Sequence, residues 1–213
     1  MSAARESKFS IKERVISLFG SKNKTESVNV ITDAKPKRGI KDFIDSLIIA
    51  FVIAMFIRTF FISAYRIPSG SMEDTLLIGD HILASKIHYI VSDPKFGDIA
   101  VFEYPLEPDK DFIKRVIGEP GDRIRFEGKT IYRNGERLTE PYAKFYTMFG
   151  DDFREFTVPG GYYLMLGDNR DTSFDGRYWG FVPRNAFKGK SLIIYFSLAG
   201  KGLALNRMFS LTR

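Results

Sequence analysis

Hydrophobic residues are distributed in two ways along this 213-residue chain. From Ile40 to Ile62 they form one dense run, free of charge from Leu47 to Ile57 and bracketed by Asp45 and Arg58. After residue 65 they come in short runs of β-branched and aromatic residues cut by Gly, Pro, Asn and Asp, the signature of strands. The runs place strands at His81 to Ala84, Asp98 to Phe102, Phe112 to Ile117, Arg123 to Phe126, Thr130 to Tyr132, Tyr162 to Leu166 and Ser191 to Phe196. Asn134-Gly135 and Gly160-Gly161 are hairpin signals. The expected fold is therefore mainly β behind one N-terminal helix. Residues 139 to 158 break the strand rhythm with many aromatics and read as a small cap, a lipid-touching flap or plain core.

The dense run needs roughly 20 mostly apolar residues to span a bilayer, and reaches that length when Asp45 and Arg58 sit at the interfaces. A buried core helix or a cleavable secretory signal would share its composition. The long charged tail before it, and its direct continuation into Pro68, Ser69 and Gly70, favour an anchor. Residues 1–41 then form a basic cytosolic tail, 42–62 a transmembrane anchor and 63–213 an extracytoplasmic domain, with an insertion near 136–158. Lys22, Lys24, Lys35, Lys37, Arg38 and Lys41 precede the run, which places the N-terminus in the cytoplasm. In the tail, Phe9, Ile11, Val15, Ile16, Leu18 and Phe19 share one helical arc that could lie on lipid.

Composition narrows the chemistry. The chain has no cysteine, which removes thiolate nucleophiles and Cys-based zinc sites, and only two histidines, His81 and His88. The net charge of +6 gathers before the apolar run and not on a domain face, which points to a membrane surface more than to nucleic acid. No metal or cofactor motif is present. The loop Asp171, Ser173, Asp175, Gly176 has the start of a calcium-loop spacing, but Val182 stands where a bidentate Glu is needed.

Three segments could carry chemistry. Ser71 lies in Ile67-Pro-Ser-Gly-Ser-Met72, an exposed turn able to present a hydroxyl. A serine needs an adjacent base, and with two unsupported histidines a lysine becomes the candidate. Lys114 lies in Phe112-Ile-Lys-Arg-Val-Ile117, where apolar neighbours would lower its pKa by penalising the charged form. Arg115, next along the strand, should face the other way. The third segment is the polar loop Gly167-Asp-Asn-Arg-Asp-Thr-Ser-Phe-Asp-Gly-Arg-Tyr-Trp-Gly180. Ser-x-x-Lys pairs at Ser21 to Lys24 and Ser92 to Lys95 lack the partner motifs of the penicillin-binding enzymes.

Anchor, Pro-Ser-Gly-Ser-Met, Gly97-Asp-Ile-Ala-Val-Phe102, Phe112 to Gly118 with Pro120-Gly-Asp122, and the Gly167 loop running on to Pro183 together resemble the type I signal peptidase family in order and spacing. The resemblance covers most of residues 60 to 183. It implies a membrane-bound serine endopeptidase that removes signal peptides from exported preproteins, with Ser71 as nucleophile and Lys114 as general base acting through an acyl-enzyme. It implies an oxyanion hole from the Ser69 hydroxyl and the Ser71 N–H, a Ser173 hydroxyl that orients the Lys114 amine, and Asp168, Arg170, Asp175 and Arg177 fixing the loop.

The same resemblance implies two antiparallel β-sheets, a substrate added as an extended strand and pockets for small residues at −1 and −3, the Ala-x-Ala pattern. It implies no cofactor, and as partners a bacterial cytoplasmic membrane and signal-bearing preproteins, with no nucleic acid. The second domain of larger Gram-negative members shrinks here to roughly residues 136 to 158. A Ser/Lys peptidase of narrower range, an inactive peptide-binding module on the same scaffold and a nucleic-acid binder are the competing readings.

Overall fold

The computed structural model describes residues 39–145, 154–200 and 202–212. The basic tail and its amphipathic arc lie outside the described residues. Contacts divide the chain into two units, one ending at Phe43 and the other running from Ile44 to Arg213.

Helix α1 (Ile40–Phe60) follows from the dense run: 21 residues with no proline or glycine inside, Asp42 in the first turn and Arg58 in the last, each complementing the helix dipole. It has no buried residue. At 1.5 Å per residue it extends about 32 Å, and its best window has a mean hydropathy of 2.1, long and apolar enough by length and composition to cross a membrane. The helix ends before the apolar run does. Ile62 belongs to β1 (Ile62–Arg66), which pairs antiparallel with β2 (Asp80–Ser85), Ile62 opposite Ser85 and Arg66 opposite His81.

The remaining strands are β3 (Ile99–Tyr104), β4 (Glu107–Gly118), β5 (Arg123–Glu127), β6 (Thr130–Arg133), β7 (Glu136–Arg137), β8 (Arg154–Thr157), β9 (Tyr162–Leu166), β10 (Phe181–Pro183), β11 (Phe187–Ser197) and β12 (Ser210–Leu211). Two one-turn α-helices, α2 (His88–Val91) and α3 (Gly176–Trp179), and two 3-10 turns, Arg184–Ala186 and Leu205–Arg207, interrupt them among the described residues. The strands form two sheets with antiparallel pairing throughout. One has the order β1-β2-β11-β3-β4-β9-β10 with β12 added to β11, and the other the order β7-β6-β5-β8. The mainly β expectation therefore holds, and β9 has the bounds its residues suggest.

Other strands are longer than their apolar runs. The first half of β4 is charged, Glu107 to Asp111, yet it pairs with β3, Asp111 opposite Glu103. It is exposed, so hydrophobicity does not mark it. Of the irregular segment 139–158, β8 joins the smaller sheet beside β5, and residues 146–153 lie outside the described residues.

Two buried clusters position the site. Ile67, Met72 and Leu76 pack with Ile82, Ile99, Val101 and Ile194, so Met72, fully buried, pins the turn that carries Ser71. Burying a side chain of this size stabilises by about 1.5–3 kcal/mol. Leu164 and Leu166 of β9 and Ile117 of β4 pack with Ile124, Phe126 and Ile131 of the smaller sheet, fixing the strand that leads into Gly167.

Candidate active site

Three pieces of chain converge. The turn after β1 is closed by Glu73 N donating to Gly70 O and Leu76 N to Met72 O, and its base is tied to β2 by Ile67 N donating to Asp80 O. Strand β4 brings Lys114 opposite Ala100 in β3. The loop after β9 supplies Gly167 to Asp175.

Lys114 Nζ lies 2.6 Å from Ser71 Oγ and 3.1 Å from Ile113 O. Both side chains are buried, Lys114 with 4% of its surface exposed and Ser71 with 8%. Burial pushes the lysine down to about 8; the carboxylates of Asp175 and Asp168 pull it part of the way back. An amine in that range is neutral in a useful fraction of molecules near pH 7 to 8 and can then accept the serine proton. The Ser69 hydroxyl is 3.5 Å from Ser71 Oγ, and the Ser71 N–H makes no hydrogen bond among the described residues, which leaves it available to a developing oxyanion.

Asn169, which sequence reasoning left without a role, ties the glycine loop to the serine turn. Its backbone N–H donates to Ser71 O at 3.1 Å and its side-chain amide to Gly70 O at 3.1 Å. Gly167 packs between Ser71 and Ser173: a Cβ there would overlap Ser71 O and Ser173 Oγ. Asp175 accepts from Gly167 N at 3.0 Å and from Arg177 Nε and Nη2 at 2.8 Å each, and Arg177 Nη2 also donates to Arg170 O at 2.6 Å. Arg170 Nε donates to Gly167 O at 2.9 Å. Asp168 takes Arg115 in two bonds and the Thr75 hydroxyl at 2.5 Å. Asp168, Arg170, Asp175 and Arg177 thus all make hydrogen bonds within the loop or from it to its neighbours. With its carboxylate committed to Arg177 and Gly167, Asp175 is not arranged as a calcium ligand.

One expected contact differs. Ser173 is buried beside Gly167, but its hydroxyl finds no hydrogen-bond partner among the described residues and the bond to the Lys114 amine is not formed. The amine points to Ser71 and the Ile113 carbonyl instead. Neither histidine lines the site: His81 Nδ1 is 3.1 Å from Gly79 O with its ring against Phe196, and His88 starts α2. Among the described residues no group of His, Asp and Glu could hold a metal ion.

A cavity of about 540 Å³ opens over the pair, lined by Pro68 to Ser71, by Asp111 to Lys114 and by Thr172 and Phe174. β9 pairs with β4 only from Arg115 onward, so among the described residues the β4 edge at Asp111 to Lys114 has no strand partner on that side. An extended peptide can lie there and hydrogen-bond the edge.

The family model for signal peptidase, peptidase S26, matches residues 40–196, from α1 through most of β11. The chain belongs to this family. A signal peptidase I from Aquifex aeolicus is 36% identical over 71% of this chain and 82% of its own length. A probable signal peptidase I-2 from Synechocystis is 40% identical over 74% of each. A signal peptidase I from Pseudomonas aeruginosa is 34% identical over 68% of each. A solved signal peptidase I from Enterococcus faecalis is 32% identical over 46% of this chain and 97% of that one, with a TM-score of 0.39. As a bacterial type I signal peptidase the chain is a serine endopeptidase that removes signal peptides. Arg115, Asn169, Thr75, Glu140 and Tyr142 are the site-supporting residues that sequence reasoning missed. Their partners lie far away in sequence, and the one local signal was a second buried charge beside Lys114.

Proposed function

We propose that this signal peptidase cuts by a Ser71/Lys114 dyad, a reading carried by the 2.6 Å approach of a buried amine to the Ser71 hydroxyl. The neutral Lys114 amine takes the Ser71 proton as Oγ attacks the scissile carbonyl. The carbonyl oxygen, now negative, is held by the Ser71 N–H and the Ser69 hydroxyl. The tetrahedral adduct collapses by losing the amine of the mature protein, which takes the proton from Lys114, and the signal peptide is left as an ester on Ser71. Water activated by Lys114 hydrolyses that ester. Ser173 has a buried hydroxyl with no hydrogen-bond partner among the described residues; the resemblance assigns it to the amine, and it takes up that contact when Lys114 turns from Ser71.

The substrate lies along the unpaired β4 edge, with small residues at −1 and −3 in the cavity. α1 anchors the enzyme in the cytoplasmic membrane, the basic tail stays in the cytoplasm and residues 63–213 face outward, close to signal peptides that are themselves in the bilayer.

The test is cleavage of a purified preprotein with an Ala-x-Ala site by wild type, Ser71→Ala and Lys114→Ala in detergent, with product N-termini sequenced. Cutting after the second alanine by wild type alone supports the dyad. Activity in either variant removes it.

A further inference from the structure

Two buried arginines support the catalytic loop, and both are covered by one short segment outside it. Arg170, whose side chain is fully buried, donates through Nη2 to Glu140 Oε1 at 2.7 Å and through Nη1 to Oε2 at 3.1 Å, and the Glu140 side chain is itself only 5% exposed. Arg115 is covered by the Tyr142 ring, 3.8 Å from guanidinium carbon to ring centroid. The Tyr142 hydroxyl donates to Glu140 Oε1 at 3.2 Å, which joins the two covers. The backbone repeats the contact: Lys144 N donates to Asp168 O at 2.8 Å and Arg170 N to Lys144 O at 3.0 Å, a one-bridge parallel pairing that flanks Asn169.

We propose that residues 140–144 form a strap that sets the position of the Gly167–Arg170 loop relative to Ser71, with Glu140 and Tyr142 as positioning residues for cleavage. The chain of action is short. Glu140 fixes Arg170, and Arg170 Nε fixes the Gly167 carbonyl. Gly167 fits between Ser71 O and Ser173 Oγ with no room for a methyl group, and Asn169, between the two bridge bonds, holds the Gly70 and Ser71 carbonyls. A shift of the strap is therefore transmitted to the serine and its oxyanion N–H, where misplacement by an ångström costs rate more than binding. Tyr142 acts in the same way through Arg115 and Asp168. None of residues 140–144 lines the cavity over Ser71 and Lys114, so ground-state binding of a peptide should be little affected by loss of the strap.

This inference rests on the Ser71/Lys114 reading, so Ser71→Ala is assayed beside the strap variants. With the full-length protein in detergent and a preprotein substrate, well below the melting temperature, Glu140→Gln is expected to lose at least tenfold in kcat with KM within threefold of wild type. Tyr142→Leu should do the same, while Tyr142→Phe, which keeps the ring over Arg115, should stay within threefold in kcat. If Glu140→Gln does not fold, Tyr142→Leu decides. A wild-type kcat in a folded strap variant, with only the melting temperature lowered, overturns the strap as a positioning device. Activity in Ser71→Ala overturns the dyad instead.

Discussion

Arg115 grips Asp168 through Nε to Oδ1 at 2.9 Å and Nη2 to Oδ2 at 2.7 Å, with neither side chain more than 2% exposed, one residue along the strand from Lys114. The pair keeps a carboxylate close to the lysine without letting its charge act at full strength. Asp168 raises the lysine pKa against the stronger effect of burial. Arg115→Met would leave that carboxylate buried without its cation. The expected outcome is a loss of about 3–5 kcal/mol in stability, together with an acid limb of the pH–rate profile moved to higher pH. Denaturant titration and the pH profile of the folded variant check the two parts.

The buried amine also has a cost that can be measured. In the unfolded chain Lys114 binds its proton more tightly than in the fold, 10.5 against about 8. Below pH 8 both states carry the proton, and the penalty, on the order of 3 kcal/mol, is fully present. It fades as pH rises from 8 towards 10.5. Lys114→Met should therefore be inactive and more stable than wild type at pH 7, with the difference shrinking above pH 8. Thermal unfolding of both proteins at pH 7 and pH 10 reads this directly, and an equal gain at both values would mean that packing and not charge is responsible.

Gly167 has no space for a side chain because Ser71 O and Ser173 Oγ flank it. Gly167→Ala is expected to fold on the intact β9 and core clusters and to lose at least tenfold in kcat as the loop backs away from Ser71. A kcat within twofold of wild type would show that the close approach is not needed.

Ser173→Ala removes a hydroxyl that has no hydrogen-bond partner among the described residues. Removing an unsatisfied buried group should raise stability by about 1–3 kcal/mol in either case, so kcat decides. If Ser173 receives the amine during turnover, the variant slows in kcat; if the hydroxyl has no such part, kcat stays at the wild-type value.

The sequence makes some of this legible and hides the rest for physical reasons. α1 is visible because a 21-residue apolar helix has no polar face to confuse it. β9 is visible because its residues are buried from Tyr163 onward. β1 is hidden because Phe60, Phe61 and Ile62 continue the apolar run of α1 across a change of structure. The charged half of β4 is hidden because its pairing with β3 is a backbone relation that hydrophobicity does not record. Ser71 and Lys114 could be named from their motifs, and the structure brings them together. Glu140 and Tyr142 could not, since Arg170 lies 30 residues from Glu140 and only the folded loop brings them into contact.

The most direct test of the central claim is the pH dependence of kcat/KM, measured from pH 5.5 to 9.5 for wild type, His81→Ala and His88→Ala. A single ionisation near pH 8, with activity falling about tenfold per pH unit below it and the same profile in both histidine variants, is the result expected of a buried lysine base. A profile set by a group near pH 6.5 that disappears in His81→Ala would contradict it.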